Sequence, residues 1–338
     1  MRKFNNPWRG RGLAEGTLGD VPWPAADARD VGALLARCPF HDPTPLVRCD
    51  GFAGAGEVFV KDERTRMGLG SFKALGAAYV IARDAAEGRA RGRTYVAASA
   101  GNHGLSVAAG AMAFGARAAI YLSDAVPETF AARLRGIGAQ VERAGATYEE
   151  SMRAAMQAAE DNAWMLLSDS SWPGYFDRPW RVMEGYLALA DEVVQAMDEP
   201  PTHILLQAGV GGLAGACAAA FRAAWGDYPQ IVVVEPDAAP ALMESVRAGR
   251  AVVTQGPVSA MGRLDCKEPS LIALKGLARD ADDFVTISED EAAAAMPRLA
   301  EAGLASTPSG GAGLAALLAM EPLGPDARVL CILSEAPE

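Results

Sequence analysis

The 338-residue chain is short of several things, and each shortage removes a class of function. Three histidines and five cysteines are all it has of the common soft metal ligands. Cys38, Cys49, Cys217, Cys266 and Cys331 are scattered without CxxC spacing, so neither a metal site nor a disulfide framework is expected, and reduced thiols suit a cytoplasmic protein. Lysine and arginine form no run, and the formal net charge is −11. That average field repels nucleic acid and anionic lipid, and neither nucleic acid nor membrane is expected as a partner. The most membrane-like stretch, Leu105 to Leu122, is broken by Ser106, glycines and Arg117, and its periodicity changes from helical to strand-like. After the basic Met1-Arg2-Lys3, the segment Phe4 to Gly12 is polar where an export signal needs an apolar stretch. Internal repeats and low-complexity tracts are missing as well.

What is present is a sequence half hydrophobic and 22% charged, the composition of a soluble globular protein of roughly two domains. From residue 58 onward, β-rich runs alternate with Ala-rich helical runs, as in a doubly wound α/β fold with a largely parallel sheet. Strands are expected at Val58–Lys61, Thr94–Ala98, Arg117–Leu122, Gln140–Arg143, Trp164–Leu167, His203–Gln207, Gln230–Glu235, Phe284–Ile287 and Arg328–Ser334. Helices are expected at Phe72–Ala86, Gly104–Phe114, Glu128–Gly136, Tyr148–Asn162, Val182–Met197, Leu213–Trp225, Glu289–Ala302 and Gly313–Met320. These strands are many for one open sheet, and the Pro- and Trp-rich segment Ser168–Pro179 with the linker Glu199-Pro200-Pro201 interrupts the alternation. Two doubly wound, largely parallel-sheet domains are the economical arrangement.

Three segments carry chemistry. Gly68-Leu69-Gly70-Ser71-Phe72-Lys73 places a lysine just inside a helix after a glycine-rich turn. Burial and the positive end of the helix dipole both disfavour an ammonium there, so Lys73 is expected with a lowered pKa suited to Schiff-base chemistry. Taken alone it reads better as an ordinary helix-surface lysine. Ser99-Ala100-Gly101-Asn102-His103-Gly104 follows a strand and opens a helix, the end of an α/β sheet where ligands bind; an ordinary βα turn with a capping serine also fits. Gln207-Ala208-Gly209-Val210-Gly211-Gly212-Leu213 joins a strand to an Ala-rich helix, and its backbone N–H groups can wrap a phosphate. No Lys-Ser/Thr follows, which removes a Walker loop, and a dinucleotide reading would depend on Ala214 in the final glycine position.

The Gly-Ser-Phe-Lys context of Lys73, Ser-Ala-Gly-Asn-His-Gly and Gly-Val-Gly-Gly-Leu occur in the order and spacing of the tryptophan-synthase-like, fold-type II pyridoxal 5′-phosphate (PLP) enzymes, which the chain resembles over nearly its whole length. Pro43-Thr44-Pro45-Leu46 and Val60-Lys61-Asp62-Glu63 resemble that family's amino-terminal segment. The resemblance implies PLP bound to Lys73 as a Schiff base, with Asn102 on its 3-oxygen and Gly209, Val210, Gly211, Gly212 and Leu213 on its phosphate. It places Ser334 against the pyridine nitrogen, where a neutral hydroxyl favours elimination over transamination. Ser99, Ala100, Gly101 and His103 would meet the substrate. It further implies a larger PLP-binding domain, residues 1–80 and 190–338, a smaller mobile substrate-side domain, residues 81–189, and a homodimer.

Within the family, Arg66 to Gly76, Ser168 to Tyr175 and Met261 to Ser270 resemble the corresponding segments of diaminopropionate ammonia-lyases, which adds Asp169 to Lys73 as a catalytic group. Ala100 departs from that pattern, since the lyases carry Asp there. The expected reaction is α,β-elimination from a small β-substituted amino acid to a 2-oxo acid and ammonia. A 3-hydroxyamino-acid dehydratase, for which Ala100 is no defect, and a non-catalytic PLP-binding homologue are the alternatives.

Overall fold

A computed structural model describes residues 1–337. In chain order its strands are β1 (Arg2–Asn5), β2 (Leu46–Asp50), β3 (Ala55–Asp62), β4 (Thr94–Ala98), β5 (Arg117–Leu122), β6 (Gln140–Arg143), β7 (Met165–Leu166), β8 (His203–Gln207), β9 (Gln230–Pro236), β10 (Asp283–Ile287) and β11 (Gly324–Leu333). The helices are α1 (Arg29–Leu35), α2 (Lys73–Ala86), α3 (Asn102–Ala113), α4 (Glu128–Gly136), α5 (Tyr148–Asn162), α6 (Asp177–Ala196), α7 (Gly212–Trp225), α8 (Ala241–Ala248), α9 (Leu271–Asp280), α10 (Glu289–Glu301) and α11 (Ala312–Ala319).

The strands form two sheets, of order β1-β10-β9-β8-β11-β3-β2 and β6-β5-β4-β7. The smaller sheet is parallel throughout. In the larger one the central pairs are parallel, while β1 and β2 run antiparallel at the two edges. Neither edge strand is anticipated by the alternation pattern. Arg2-Lys3-Phe4-Asn5 is largely polar, and Leu46-Val47-Arg48-Cys49-Asp50 is a short run whose Leu46, Val47 and Cys49 are only partly buried against the cores, as edge strands can be.

Period-two alternation assigns each face of a strand to its own cover. Tyr95 and Ala97 of β4 pack with Leu105 and Val107 of α3, whereas Val96 and Ala98 pack with Ala155 of α5. Along β11, Leu330 and Ile332 join the core beneath α6, α7 and α9, and Val329, Cys331 and Leu333 join the one beneath α10 and α11. The segments that follow β3, β8 and β11 in the larger sheet and β4 and β7 in the smaller one lie at strand carboxyl ends, which is where α/β folds place ligands.

Candidate active site

The turn before α2 is held in a conformation that glycine permits. Gly68 and Gly70 have φ of +68° and +84°. Its register is fixed by the end of β11, since the Phe72 N–H donates to the Ser334 carbonyl at 3.1 Å and the Ala336 N–H donates to the Gly70 carbonyl at 2.9 Å. Lys73 thus starts its helix beside the carboxyl end of the last strand.

Lys73 Nζ donates to Asp169 Oδ2 at 2.5 Å, and both side chains are about one-fifth exposed. This corrects the expectation of a lowered lysine pKa. Burial does pull Lys73 down, but the charge and hydrogen bond of Asp169 outweigh it and raise the ammonium above its ordinary value. The same pairing holds Asp169 below the usual carboxylate range against the opposing effect of burial. Asp169 owes its position to a tight local turn: the Ser168 N–H donates to the Tyr175 hydroxyl at 3.1 Å, that hydroxyl donates to the Leu166 carbonyl at 2.9 Å, and Trp172 stacks on Tyr175. Ser171 and Ser270 share a hydroxyl–hydroxyl bond of 2.7 Å, which ties this turn to the start of α9.

The glycine loop lies alongside. Gly211 has φ of +97°, and α7 begins at Gly212 with its N–H groups turned into the loop. A Cβ at Gly209 would come within 3.0 Å of the Arg263 carbonyl and the Cys266 sulfur, and one at Gly211 within 2.9 Å of Leu242, so bulk is excluded at both. At Gly212 a Cβ would meet only ordinary contacts, 3.7 Å from Met183 and Tyr186 and 3.8 Å from the Asp169 carbonyl.

On the opposite wall, Asn102 begins α3 and its amide donates to the Glu335 carboxylate. Glu335, 4% exposed, also accepts from Thr307 Oγ1 and lies 2.9 Å from Arg263 Nε. Ser99 Oγ accepts from the Gly101 and Gly104 N–H groups at 3.3 and 3.1 Å, so its acceptor role is within the loop itself. Ala100 is exposed at the mouth. His103 is buried, with Nε2 2.8 Å from the Leu167 carbonyl and Nδ1 without a hydrogen-bond partner among the described residues. Ser334 is buried beside Glu335.

The structure therefore brings Lys73, Asp169, Asn102, Ser334 and the Gly209–Leu213 loop around one space, with the Ser99–His103 loop at its rim. Sequence reasoning passed over Glu335, Thr307 and Tyr186, and it quoted Arg263 only as part of a loop. The signal for Glu335 was its place next to Ser334 at the end of a core strand; Tyr186 was hidden within the apolar periodicity of α6. The donor set is that of a phosphate-bearing aldehyde site: an amine, a backbone anion cradle and an amide. Two features fit such an occupant, namely the backbone turn at Gly211 and Gly212 that opens α7 and the buried Tyr186 hydroxyl, which has no hydrogen-bond partner of ordinary geometry among the described residues.

Comparison with known proteins gives the same result from outside the geometry. A family model described as pyridoxal-phosphate dependent enzyme matches residues 38–335. The chain is 33% identical to diaminopropionate ammonia-lyase of Escherichia coli over 85% of its own length and 81% of that protein's. It is 30% identical to a serine dehydratase-like protein of Mus musculus, covering 85% of each. The crystal structure of Escherichia coli diaminopropionate ammonia-lyase in complex with an aminoacrylate-PLP azomethine reaction intermediate superposes with a TM-score of 0.88 and 28% identity, over 99% of this chain and 93% of that one.

Proposed function

Because the chain belongs to the pyridoxal-phosphate dependent enzyme family, we propose that it is an ammonia-lyase that removes the β-substituent of a small, diaminopropionate-like amino acid and releases a 2-oxo acid and ammonia. The observation that carries this reading is the Lys73–Asp169 pair at 2.5 Å beside the glycine loop that opens α7. An amine that carries the cofactor needs an acid–base partner for elimination, and Asp169 stands at the required distance. Support also comes from the matched crystal structure, since aminoacrylate is what an amino acid becomes when it loses a β-substituent.

Pyridoxal phosphate, when bound, supplies an electrophilic carbonyl carbon and a ring that accepts electrons from the substrate's α-carbon. In this chain Lys73 would hold its aldehyde end, the N–H groups of Gly209 to Leu213 its phosphate, and Asn102 its phenolic oxygen, with Ser334 toward the ring nitrogen. Asp169 accepts or returns the proton at the substrate's α-carbon or leaving group. Lys73 is the largest of the influences that depress the Asp169 pKa, with His103 and a backbone hydrogen bond adding to it, so an event that neutralises Lys73 lets Asp169 rise toward the range of a working general acid. The Ser99–His103 loop, with its N–H groups at the start of α3, receives the substrate carboxylate.

Ala100, exposed at the mouth, offers no second carboxylate, and this favours L- over D-substrates because a base on one face reaches one enantiomer's α-hydrogen. The same residue gives the 3-hydroxyamino-acid dehydratase reading its standing. We place the enzyme in the cytoplasm as a homodimer whose small-sheet unit moves over the substrate; the five cysteines are free, and among the described residues no helix is long and apolar enough to cross a membrane. Release of ammonia and 2-oxo acid from paired D- and L-diaminopropionate, serine and threonine tests the whole reading. Turnover of L-diaminopropionate above the others is expected. Cofactor binding without release from any of them would make the chain a non-catalytic homologue.

A further inference from the structure

Tyr186 projects from α6 into the space between Lys73 and the start of α7. The side chain is 1% exposed, yet its hydroxyl makes no hydrogen bond with the described residues. Buried hydroxyls are nearly always partnered, and leaving one unmade costs stability. Nothing suggests that the ring is loosely placed. It meets Phe72 edge-to-face with centroids 4.9 Å apart, and it lies against Gly76, where a Cβ would sit 2.7 Å from the ring. On its other side the ring is 3.7 Å from the Cβ position of Gly212, the first residue of α7. Lys73 Nζ is 5.7 Å from the ring centroid. Burial raises the phenol to about 12, with Lys73 opposing, so at neutral pH the hydroxyl keeps its proton and is a donor.

The ring thus stands between the amine at one end of the site and the anion cradle at the other. A molecule attached at Lys73 and reaching the Gly209–Leu213 loop passes this hydroxyl. We propose that the Tyr186 hydroxyl donates a hydrogen bond to the phosphate of bound pyridoxal phosphate, a side-chain ligand added to the backbone N–H groups of the glycine loop. The donor is then an arrangement made for the cofactor. This rests on the reading of the site as a pyridoxal phosphate site.

Tyr186→Phe keeps the ring and removes only the donor. Titration of apoprotein with pyridoxal phosphate, followed by visible absorbance, should show affinity lowered about 10-fold or more, the scale of one hydrogen bond to a charged acceptor. The ³¹P resonance of the bound cofactor should shift. Pyridoxal, which lacks the phosphate, should bind wild type and variant equally. The apoprotein of the variant should melt no lower than wild type, because Lys73, which acts on the hydroxyl, keeps Asp169 as its hydrogen-bond partner. Equal phosphate-cofactor affinity in the two proteins overturns the proposal. So does an equal loss for pyridoxal, which would assign the hydroxyl to the Lys73 end, and so does a variant apoprotein that melts lower or does not fold. Wild-type protein that binds no pyridoxal phosphate would refute the cofactor reading itself.

Discussion

Arg66 and Lys73 lie on the same short stretch of chain, each beside carboxylates, and the two clusters are built on opposite plans. Around Arg66 every donor is used. Its guanidinium bonds Glu63 at 2.7 and 2.8 Å, Glu192 at 2.7 and 2.8 Å, the Asp42 carbonyl at 2.9 Å and Thr44 Oγ1 at 3.0 Å. Lys61 completes the set with bonds to Glu192 at 2.5 Å and to the Thr44 carbonyl at 2.6 Å. Arg66 and Glu63 are wholly buried. Lys73 pairs with Asp169, is partly exposed, and lies beside the glycine loop and a phenol that has no hydrogen-bond partner of ordinary geometry among the described residues. Saturation marks a cluster that fixes β3 and the turn after it against α6; an unfinished cluster marks a place where something else is to bind.

The contrast predicts opposite phenotypes. Lys73→Ala should have the largest effect, abolishing the cofactor's visible absorbance and all turnover while leaving the melting temperature of the apoprotein in place; a borohydride-reducible adduct on another lysine would end the assignment. Arg66→Met should do the reverse. It strands the buried Glu63 without its cation and leaves Glu192 with Lys61 alone, and breaking a buried pair costs about 3–5 kcal/mol, to be read by urea unfolding. A loss below ~1 kcal/mol would remove the distinction between the clusters. Asp169→Asn should lower turnover roughly 10²-fold while sparing cofactor uptake, the scale of one general acid–base group; undiminished turnover would transfer its role to Lys73 or another group.

The smallest expected effect concerns acid stability. Burial alone would raise Glu192, but Arg66 and Lys61 more than offset it and hold the carboxyl below its ordinary value. A carboxylate depressed in the native state binds protons less readily than its unfolded counterpart. Its stabilisation is therefore complete above the ordinary carboxylate pKa and drains away as pH falls through the native value. Melting temperatures of the apoprotein from neutral to acid pH should thus fall less steeply in Glu192→Gln than in wild type. Asp169 is depressed too, but solvent screens its partly exposed pair, so Lys73→Ala should flatten the same limb less. Equal flattening would show that the two clusters contribute alike.

Much of this was legible from residue order. Thr94–Ala98, Arg117–Leu122 and Gln140–Arg143 form strands with the expected bounds, because short β-rich runs set off by turn residues leave little choice. β1 and β2 were missed because edge strands need no apolar face, and α8 and α9 because short helices within a loop-rich region show weak periodicity. In the site, Lys73, Asn102 and the glycine loop announce themselves through local spacing. The pairing of Asn102 with Glu335 does not, since it joins residues that only the folded sheet brings together, and the raised Lys73 pKa depends on Asp169 from a separate turn. Local reasoning captured the dipole and the burial but could not place the opposing charge.

The position of β11 has a consequence for how the protein is made. Residues 324–333 insert between β8 and β3, so β3, made early, waits for a strand synthesised near the end before its second side is paired. The turn that carries Lys73 waits with it, because its N–H and C=O partners at Ser334 and Ala336 follow directly on that strand. On the ribosome the β2–β3 hairpin is therefore an open-edged template for most of translation, the kind of exposure that invites chaperones or aggregation. Translation arrested before residue 324 should leave the Arg48–Asp62 hairpin open to limited proteolysis, and release of the complete chain should close it and switch on cofactor uptake in the same step.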